Sequence, residues 1–275
     1  MNNPLVSVII TTKNEANNIQ ACLNSIEKQT YKNIEMIVVD NDSTDMTKRL
    51  AKAYTDNIYD KGPERSAQRT FGMRDIAKGY YVMYLDADMI LENNLIEECT
   101  KQIQISKAVA LHIPEKILGK SFFSRVRNFE RSFYSGTVVD AARFFTKEAF
   151  VGTGGFNEEV TGQEDWEMDL QIKKNGGKIH LLENSWINHN EAEFNLKNYL
   201  DKKSYYSNTF DIYIAKWKGH PDVKKQLSPY YRFIGVFIEN GKWKKLIMHP
   251  LLTKGMYYLR FRVGLRYLRR NRNGA

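Results

Sequence analysis

The sequence predicts an α/β fold: a doubly wound, mostly parallel sheet with helices on both faces, followed by a basic helical extension. Short apolar segments alternate with segments of helical periodicity through the first half of the chain, which is the pattern of consecutive βαβ units. Three of the apolar segments end at a polar residue, at Thr11, Asp40 and Asp86. Since ligands bind at the carboxyl ends of parallel strands, these residues are expected to meet at one edge of the sheet.

The first half of the chain is expected to hold three such strands and three helices. β-branched and aromatic residues dominate the strands, which are Val6–Thr11, Ile34–Val39 and Tyr80–Leu85. Apolar residues at helical spacing indicate the first helix. The predicted helices run from about Glu15 to Gln29, from a cap at Ser43 or Thr44 to about Tyr54, and from about Arg65 to Ala77.

The second half is less regular. The expected strands are Ala108–Ile113, Thr137–Phe145 and Lys178–Leu182. Helices are expected over Ser121–Tyr134 and from about Asp165 to Asn175, where Gly176 and Gly177 end the helix. From about Asn195 onward the chain is predicted to be helical, with interruptions at prolines. We therefore expect a sheet domain over residues 1–194 and a helical, basic region over residues 195–275.

Composition and cysteine usage limit the class of protein. With 275 residues, 42% hydrophobic and 27% charged, the chain falls among ordinary soluble globular proteins. Its two cysteines, Cys22 and Cys99, are expected to be buried thiols in a reducing compartment and not a disulfide or a zinc site. No signal peptide precedes the first strand, and no apolar run approaches the roughly 18 residues of a membrane span. We expect a cytoplasmic protein, peripheral on the cytoplasmic face of the membrane.

The positive charge is concentrated at the C-terminal end. The net charge is +9, and residues 242–275 hold ten Lys or Arg and no Asp or Glu, so subtracting those ten leaves −1 for residues 1–241. In a helix after Gly255, four arginines would lie on one side and four apolar or aromatic residues roughly opposite. The arginines are Arg262, Arg266, Arg269 and Arg270, and the opposite residues are Tyr257, Phe261, Leu265 and Leu268. Such a basic, aromatic helix suits an anionic membrane surface. A helix packed on the body with a solvated basic face is the alternative, and nucleic acid is not the expected partner.

One strand ends in a pair of carboxylates. The apolar run Tyr80–Leu85 stops at Asp86-Ala87-Asp88. Two carboxylates at the end of a buried strand repel each other and are costly to desolvate unless a cation lies between them. A divalent cation that carries a phosphate ligand is the usual solution. The alternative is that Asp86 caps a helix near Asn93 and Asp88 lies in a solvated turn.

Five motifs in order resemble a known family. They are Val6–Glu15, Val38–Asp45, Glu64–Gly72, Leu85–Asp88, and Thr153–Asn157 followed by Gly162–Glu167. This order is similar to that of the inverting nucleotide-sugar glycosyltransferases of family two, which have the Rossmann-like A-type fold. The resemblance covers about residues 5–190 and leaves the tail outside. It implies a nucleotide-sugar-binding half over about residues 1–105 and an acceptor-binding half over about residues 106–194.

The resemblance also implies roles for individual residues. Asp88 would hold a divalent metal, Mn²⁺ or Mg²⁺, and Asp86 would contact ribose or reach the ion through water. His189 would complete the metal shell, although a histidine hydrogen-bonded in a loop is the alternative. Contacts to the donor are implied for six further residues: Thr11, Glu15, Asp40, Asn41, Asp42 and Ala87. Arg69, one turn after Arg65, either pairs with a phosphate or braces the Asp cluster.

Displacement with inversion also needs a base for the acceptor hydroxyl. Asp165 matches the catalytic carboxylate of the family, and Glu164 is the second choice. Trp166 beside them would form an apolar wall for a sugar, so Glu164 and Trp166 are assigned to the acceptor side. The alternative for Asp165 is an ordinary carboxylate that the helix dipole stabilises.

Two departures from the family limit the prediction. Asn41 stands where Asp is common and Asp42 where Gly is common, which leaves UDP- and GDP-sugars both open. The Gln-x-x-Arg-Trp motif of processive polysaccharide synthases is absent. We therefore predict a metal-dependent transferase that adds one sugar to a glycan acceptor, lipid-linked or membrane-proximal. The alternatives are a sugar-phosphate nucleotidylyltransferase, which should carry glycine after the first strand, and a membrane-associated adaptor that binds a sugar nucleotide without turnover.

Overall fold

The chain forms two compact units. The computed structural model describes residues 3–190 and 194–273, and side chains as far as residue 267. The first unit comprises Met1–Glu115, Ala141–Glu158 and Glu164–Asn190, and the second comprises Lys116–Asp140, Glu159–Gln163 and Glu191–Ala275. The division at residue 194 that the sequence suggested stays a prediction.

Ten strands in the described part of the chain form two sheets. They are β1 (Val6–Thr12), β2 (Ile34–Asp40), β3 (Ile58–Asp60), β4 (Tyr81–Asp86), β5 (Met89–Leu91), β6 (Ala110–His112), β7 (Glu115–Ile117), β8 (Ala142–Thr146), β9 (Ile179–Leu181) and β10 (Ile187–His189). Seven of them form a sheet in the order β3-β2-β1-β4-β8-β6-β9, and the other three are ordered β5-β10-β7. In the large sheet only β8 runs antiparallel to its neighbours. The predicted mostly parallel α/β fold is confirmed.

Thirteen α-helices are present in the described residues. They are α1 (Ile19–Glu27), α2 (Thr47–Ala51), α3 (Arg65–Thr70), α4 (Leu95–Ser106), α5 (Phe122–Arg131), α6 (Lys147–Gly152), α7 (Glu164–Lys174), α8 (Leu196–Tyr206), α9 (Phe210–Lys216), α10 (Pro221–Leu227), α11 (Val236–Ile238), α12 (Trp243–Met248) and α13 (Pro250–Asn273). Although α13 has 24 residues, no helix in the described part of the chain is long and apolar enough to cross a membrane.

The large sheet separates two hydrophobic cores, because alternate residues of a strand point to opposite faces. Tyr81, Met83 and Leu85 of β4 belong to the core that α1 and α4 cover. Val82 and Tyr84 of the same strand belong to the core that also contains residues of α6 and α7. The helices therefore lie on both faces, as a doubly wound sheet requires. Cys22 and Cys99 are buried free thiols, as expected.

Several predicted boundaries are wrong for local reasons. The first helix begins at Ile19 because Glu15–Asn18 form a turn. The helix expected from Ser43 or Thr44 begins only at Thr47. The helix expected over Arg65–Ala77 is α-helical only to Thr70 and continues as a π-helix over Phe71–Ile76. The strand expected from Thr137 begins at Ala142, because hydrogen bonds from the amide of Thr137 to Tyr134 and from that of Asp140 to Thr137 turn the chain there.

Within the second unit, α13 packs on α5 and α8. Its buried side chains are Met256, Leu259 and Arg260, whereas the sequence placed Phe261 on the apolar face, and Phe261 is exposed. Arg260 donates to Oε1 of Glu130 on α5. An ion pair sheltered from solvent thus fixes the rotation of α13 about its axis. Its partner, Glu130, is 130 residues away in the sequence, so the local pattern of α13 could not indicate this rotation. The side chains of Leu268, Arg269 and Arg270 lie outside the described residues.

Candidate active site

Three strands of the large sheet end side by side. In the parallel register Thr11 of β1 is opposite Asp86 of β4, and Thr12 is opposite Asp40 of β2. Oγ1 of Thr11 lies 3.2 Å from Oδ1 of Asp86. The polar strand ends therefore meet at one edge of the sheet, as the sequence predicted, and the loops that follow them surround the candidate site.

The loops after β1 and β2 are joined by hydrogen bonds. Backbone amides of the first loop donate to side chains of the second: Asn14 to Ser43 (2.7 Å), Glu15 to Thr47 (2.8 Å) and Ala16 to Asp45 (3.1 Å). The first of these bonds occupies the hydroxyl of Ser43, one of the two residues that the sequence assigned to a helix cap. Together these bonds join the two loops into one rim at the edge of the sheet.

The residues predicted to contact the nucleoside lie on this rim at different depths. Asp40 is buried, and its two carboxylate oxygens accept from the amide and the hydroxyl of Ser43 at 2.7 and 2.6 Å. Asn41 donates to the carbonyl of Pro63 at 2.5 Å. Asp42 is exposed and has a left-handed backbone with φ of 50°. The structure thus gives Asp40 a turn-stabilising contact, and its predicted contact to the donor stays a prediction.

Glu15 brings a third carboxylate toward Asp86 and Asp88. Its Oε2 accepts from Nδ2 of Asn18 at 2.7 Å. Burial raises the pKa of Glu15, the bond from Asn18 opposes that shift, and the negative charges of Asp88 and Asp86 raise the pKa further. Negative charge is therefore concentrated where the sequence predicts a cation.

Arg69 joins the strand end to the start of α7. It is 1% exposed, and its Nη2 donates to Oδ1 of Asp86 at 2.8 Å while its Nη1 donates to Oδ1 of Asp165 at 2.9 Å. Burial alone would raise the pKa of Asp86, but the charge of Arg69 holds that pKa well below its usual range. In this structure Arg69 therefore braces the two carboxylates, and its predicted contact to a phosphate of the donor stays a prediction.

Glu164 is completely buried beside this pair. Its Oε1 accepts from Nε of Arg65 at 2.8 Å and lies 3.6 Å from Nη1 of Arg69. Burial and the adjacent charge of Asp165 raise the pKa of Glu164. The described geometry gives Glu164 a supporting contact, while Asp165 beside it is partly exposed. The predicted acceptor contact of Glu164 stays a prediction.

The sequence prediction missed Tyr84. Its phenol Oη donates to Oδ1 of Asp165 at 3.0 Å, and its ring lies between two guanidinium groups, 4.1 Å from that of Arg69 and 4.9 Å from that of Arg143. Burial and the charge of Asp165 raise the pKa of Tyr84 well above its ordinary value, so the hydroxyl stays a donor. The signal was available, since Tyr84 precedes Asp86 by two residues and shares its face of the strand. Arg143 comes from the antiparallel strand β8 and carried no local signal.

A glycine-containing loop positions the start of α7. Gly155 has φ of 99°, and a Cβ on it would lie 2.5 Å from Cγ2 of Thr70. Next to it, the amide of Phe156 donates to Oγ1 of Thr70 at 2.9 Å. This close approach ties the loop to α3, the helix that carries Arg69. Asp165 and the half-buried Trp166 lie in the first turn of α7.

Asp88 and His189 form the candidate metal pair. Nε2 of His189 lies 3.0 Å from Oδ2 of Asp88, and its Nδ1 lies 3.8 Å from Oε2 of Glu115. Burial would lower the pKa of His189, but its hydrogen bonds to Asp88 and Glu115 raise it to about 9. Glu115 was missed from the sequence, because it lies more than seventy residues from His189 along the chain. Ala87, between the two Asp residues, has its side chain in the core.

These donors fit a divalent ion that shares its ligands with a substrate. Oδ1 of Asp88 is buried and has no hydrogen-bond partner in the described structure, which is costly for a carboxylate unless something binds it. In residues 3–190 and 194–273 no group of three or more His, Cys, Asp or Glu side chains converges as a metal site. Mg²⁺ and similar ions are commonly held by one or two protein ligands together with substrate phosphates and water. Asp88 and His189 suffice for that arrangement.

The family assignment agrees with this geometry. The sequence profile of Glycosyl transferase family 2 matches residues 7–157, more than half of the chain. The chain belongs to glycosyl transferase family 2. The family match contains the strand ends, Arg69, Asp86 and Asp88, and it stops at Asn157. Asp165 and His189 lie beyond it, so their place in the site rests on the contacts described above.

Relatives within the family differ in length. The chain is 30% identical over 190 residues to a chondroitin synthase of Pasteurella multocida, covering 65% of this chain and 20% of that protein. It is 25% identical over 189 residues to a PGL/p-HBAD biosynthesis glycosyltransferase of Mycobacterium bovis, covering 62% of this chain and 71% of that protein. The chain thus spans about a fifth of the length of the synthase, which contains much that has no counterpart here.

Solved structures of similar fold cover nearly the whole chain. The mannosyltransferase PcManGT from Pyrobaculum calidifontis, in complex with GDP-Man and Mn²⁺, superposes with a TM-score of 0.63 at 19% identity, covering 97% of this chain and 85% of that one. S. aureus TarS 1-349, in complex with UDP-GlcNAc, superposes with a TM-score of 0.57 at 17% identity, covering 93% of this chain and 79% of that one. At these identities the likeness shows the fold alone, and it agrees with the A-type fold expected from the sequence.

Proposed function

We propose that this chain is a metal-dependent, inverting glycosyltransferase that moves one sugar from a nucleotide-sugar donor to an acceptor hydroxyl. One observation carries the proposal: Arg69 joins Asp86, beside the candidate metal pair, to Asp165 at the start of α7. A candidate diphosphate-binding group and a candidate base are thereby held by one buried guanidinium group. Family membership supports the reaction class. The solved neighbours carry UDP-GlcNAc and GDP-Man, so both UDP- and GDP-sugars belong to the proposal.

Asp88 and His189 would hold the divalent ion, Mn²⁺ or Mg²⁺. When bound, the ion supplies charge neutralisation for the donor diphosphate and for the departing nucleoside diphosphate. The chain itself positions the donor: hydrogen bonds join the loops after β1 and β2 into one rim, and the charge of Arg69 keeps Asp86 ionised. The acceptor hydroxyl loses its proton to Asp165, on the face of the sugar opposite the leaving group.

We further propose that the acceptor is lipid-linked or membrane-proximal and that the protein is peripheral on the cytoplasmic face of the membrane. Ten cations and no carboxylate between residues 242 and 275 support an anionic surface as partner. Two buried free thiols support a reducing compartment. A polyprenyl-phosphate-linked glycan is an example of such an acceptor.

Replacing Asp165 by Asn tests the assigned base. The exchange keeps the size of the side chain and its contacts to Arg69 and Tyr84 but removes the proton acceptor, so turnover should fall by about 10²–10⁴-fold. Sugar transfer to a synthetic acceptor is measured with UDP- and GDP-sugars in the presence of Mn²⁺. Asp75→Asn, an exposed carboxylate that pairs with Arg74, is the control and should keep full activity. If Asp165→Asn turns over at the wild-type rate, Asp165 is not the catalytic base.

The same assay separates the alternatives. An adaptor without turnover releases no nucleoside diphosphate from any donor, with or without Mn²⁺. A nucleotidylyltransferase releases pyrophosphate when given a sugar phosphate and a nucleoside triphosphate. The proposed transferase releases UDP or GDP in step with the formation of glycosylated acceptor, and it releases no pyrophosphate.

A further inference from the structure

The second unit exposes an unusually apolar ridge. Ile247, Met248 and Leu251 at the junction of α12 and α13 are 69%, 71% and 70% exposed. Large side chains of this kind are usually covered, and a contiguous exposed group of them marks an interaction site. The apolar ridge is defined here by Phe122, Ile247, Met248, Leu251, Tyr258 and Phe261.

These residues lie next to one another in the structure. Leu251, Tyr258 and Phe261 fall within about 80° of arc on α13, since successive helical residues are separated by about 100°. Phe122 of α5 lies beside them, because its Cε1 is 3.1 Å from the position that a Cβ on Gly255 would occupy. Ile247 and Met248 lie at the end of α12, and Oγ1 of Thr253 in the first turn of α13 donates to the carbonyl of Leu246 at 2.9 Å. The exposed residues of α12 therefore lie close to the start of α13, where Leu251 is.

The ridge rests on a well-packed base. On the opposite side of α13, Met256 and Leu259 are completely buried, and Arg260 is held by Glu130 and by the hydroxyl of Tyr134, the latter at 2.7 Å. Packing that holds one side of α13 in place presents the other side as a fixed surface. The exposure of the ridge is thus a feature of the folded unit.

Exposed cations lie along the ridge on the two helices that form most of it. Lys254 lies on α13 between Leu251 and Tyr258, and Lys244 lies on α12 one turn before Met248; both are exposed. Arg262 donates to Oη of Tyr258 at 2.7 Å. From residue 240 to residue 275 the sequence contains no Asp or Glu. The ridge is therefore complementary to a surface that is apolar within and negatively charged at its boundary.

We propose that the apolar ridge inserts into the interfacial region of an anionic lipid bilayer, with Lys244, Lys254 and Arg262 against the headgroups. Buried apolar area and attraction to anionic lipids together drive such binding. A second copy of this chain is less suitable, because a two-fold contact would bring the same cations face to face. The inference rests on the proposed membrane contact, and it moves that contact from the predicted basic helix face to this ridge.

Vesicle sedimentation with the full chain tests the ridge. Vesicles of phosphatidylcholine, with and without phosphatidylglycerol, are mixed with wild type, Ile247→Gln/Leu251→Gln and Lys244→Gln/Lys254→Gln. The apolar variant should lower partitioning by about tenfold or more, because two large side chains no longer gain from insertion. The lysine variant should lose binding to the anionic vesicles only. Ile105→Gln, on α4 of the first unit and 67% exposed in the wild type, is the matched control and should bind as wild type.

Trp243 gives an independent reading of insertion. It lies one turn before Ile247 and is 47% exposed, so its fluorescence should shift to the blue and be quenched by brominated lipids, and both signals should vanish in Trp243→Phe. Wild type that stays in the supernatant, or an apolar variant that binds normally, would overturn the proposal. So would a lipid-free dimer that the apolar variant dissociates, since a second copy would then cover the ridge. Donor hydrolysis without vesicles tests the transferase separately, so the two proposals fail independently.

Discussion

At the scale of residues, the site is organised around one oxygen atom. Oδ1 of Asp165 accepts hydrogen bonds from both Tyr84 and Arg69, and no described residue donates to Oδ2. Two charge-assisted bonds to one oxygen fix the carboxylate plane and leave the other oxygen with its lone pairs for an acceptor hydroxyl. Under the proposed function, Tyr84 is a positioning residue that acts through Asp165.

Replacing Tyr84 by Phe should separate kcat from KM. The ring keeps its place between Arg69 and Arg143, but Asp165 loses one of the two bonds that orient it, so kcat should fall about tenfold, the rate equivalent of a single hydrogen bond to a charged group. KM for the donor should not change, since Tyr84 does not contact the candidate metal pair. Steady-state kinetics with varied donor gives both values.

Tyr81→Phe is the control for that experiment. Tyr81 is on the same strand, is buried, and faces the opposite core. It should therefore lose its hydroxyl without any change in kcat. If Tyr84→Phe instead lowers the melting temperature and raises the donor KM along with its loss of kcat, the contact of Tyr84 is structural and the positioning role is wrong.

At the scale of elements, the sequence predicted what local patterns determine. Short apolar runs rich in β-branched and aromatic residues placed β1, β2 and β4 within one residue of their observed bounds, and with them the polar strand ends. Contacts between distant segments left no such signal: the antiparallel strand β8 brings Arg143 to Glu115 at 2.7 Å, and α13 brings Arg260 to Glu130. The rotation of α13 was therefore predicted wrongly: the sequence put Phe261 on the apolar face, whereas Phe261 is exposed and Arg260 is buried against its partner on α5.

Gly255 should be required for the close packing of α13 on α5. A Cβ there would lie 2.6 Å from Cγ2 of Val126, which is completely buried and cannot move aside easily. Gly255→Ala gains about 1 kcal/mol of helix propensity, but overpacking costs about 1–3 kcal/mol, so the variant should be less stable in net terms. Urea unfolding followed by circular dichroism measures the change.

Gly264 on the same helix provides the matched control. The nearest atom to a Cβ on Gly264 is Cζ of Phe233 at 3.9 Å, so Gly264→Ala gains helix propensity without a clash. It should be as stable as the wild type or more stable by up to about 1 kcal/mol. If both variants shift the urea midpoint in the same direction, the approach of α13 to α5 does not limit the side chain at residue 255.

At the scale of the whole molecule, the net charge does not describe the charged surface. Of the ten cations after residue 241, Arg260 is buried in an ion pair, and Lys242 donates to the carbonyl of Phe133 at 2.7 Å. Arg266 pairs with Asp201. Composition could therefore predict a basic tail, but only the folded chain separates the cations that hold the second unit together from those that flank the apolar ridge.

Binding of a donor together with a metal should stabilise the whole protein. A ligand at about a hundred times its Kd adds about 2.7 kcal/mol to the free energy of unfolding, which corresponds to roughly 5–10 °C in a protein of this size. Thermal unfolding is therefore measured with a panel of UDP- and GDP-sugars, with and without Mn²⁺. We expect donors with one of the two nucleobases, uracil or guanine, to raise the melting temperature, and we expect this increment to require Mn²⁺. Asp88→Asn should abolish the Mn²⁺-dependent increment, because it removes the charge of the carboxylate whose Oδ1 has no hydrogen-bond partner in the described structure, whereas Asp75→Asn should retain it. An increment that survives in Asp88→Asn would place the metal elsewhere.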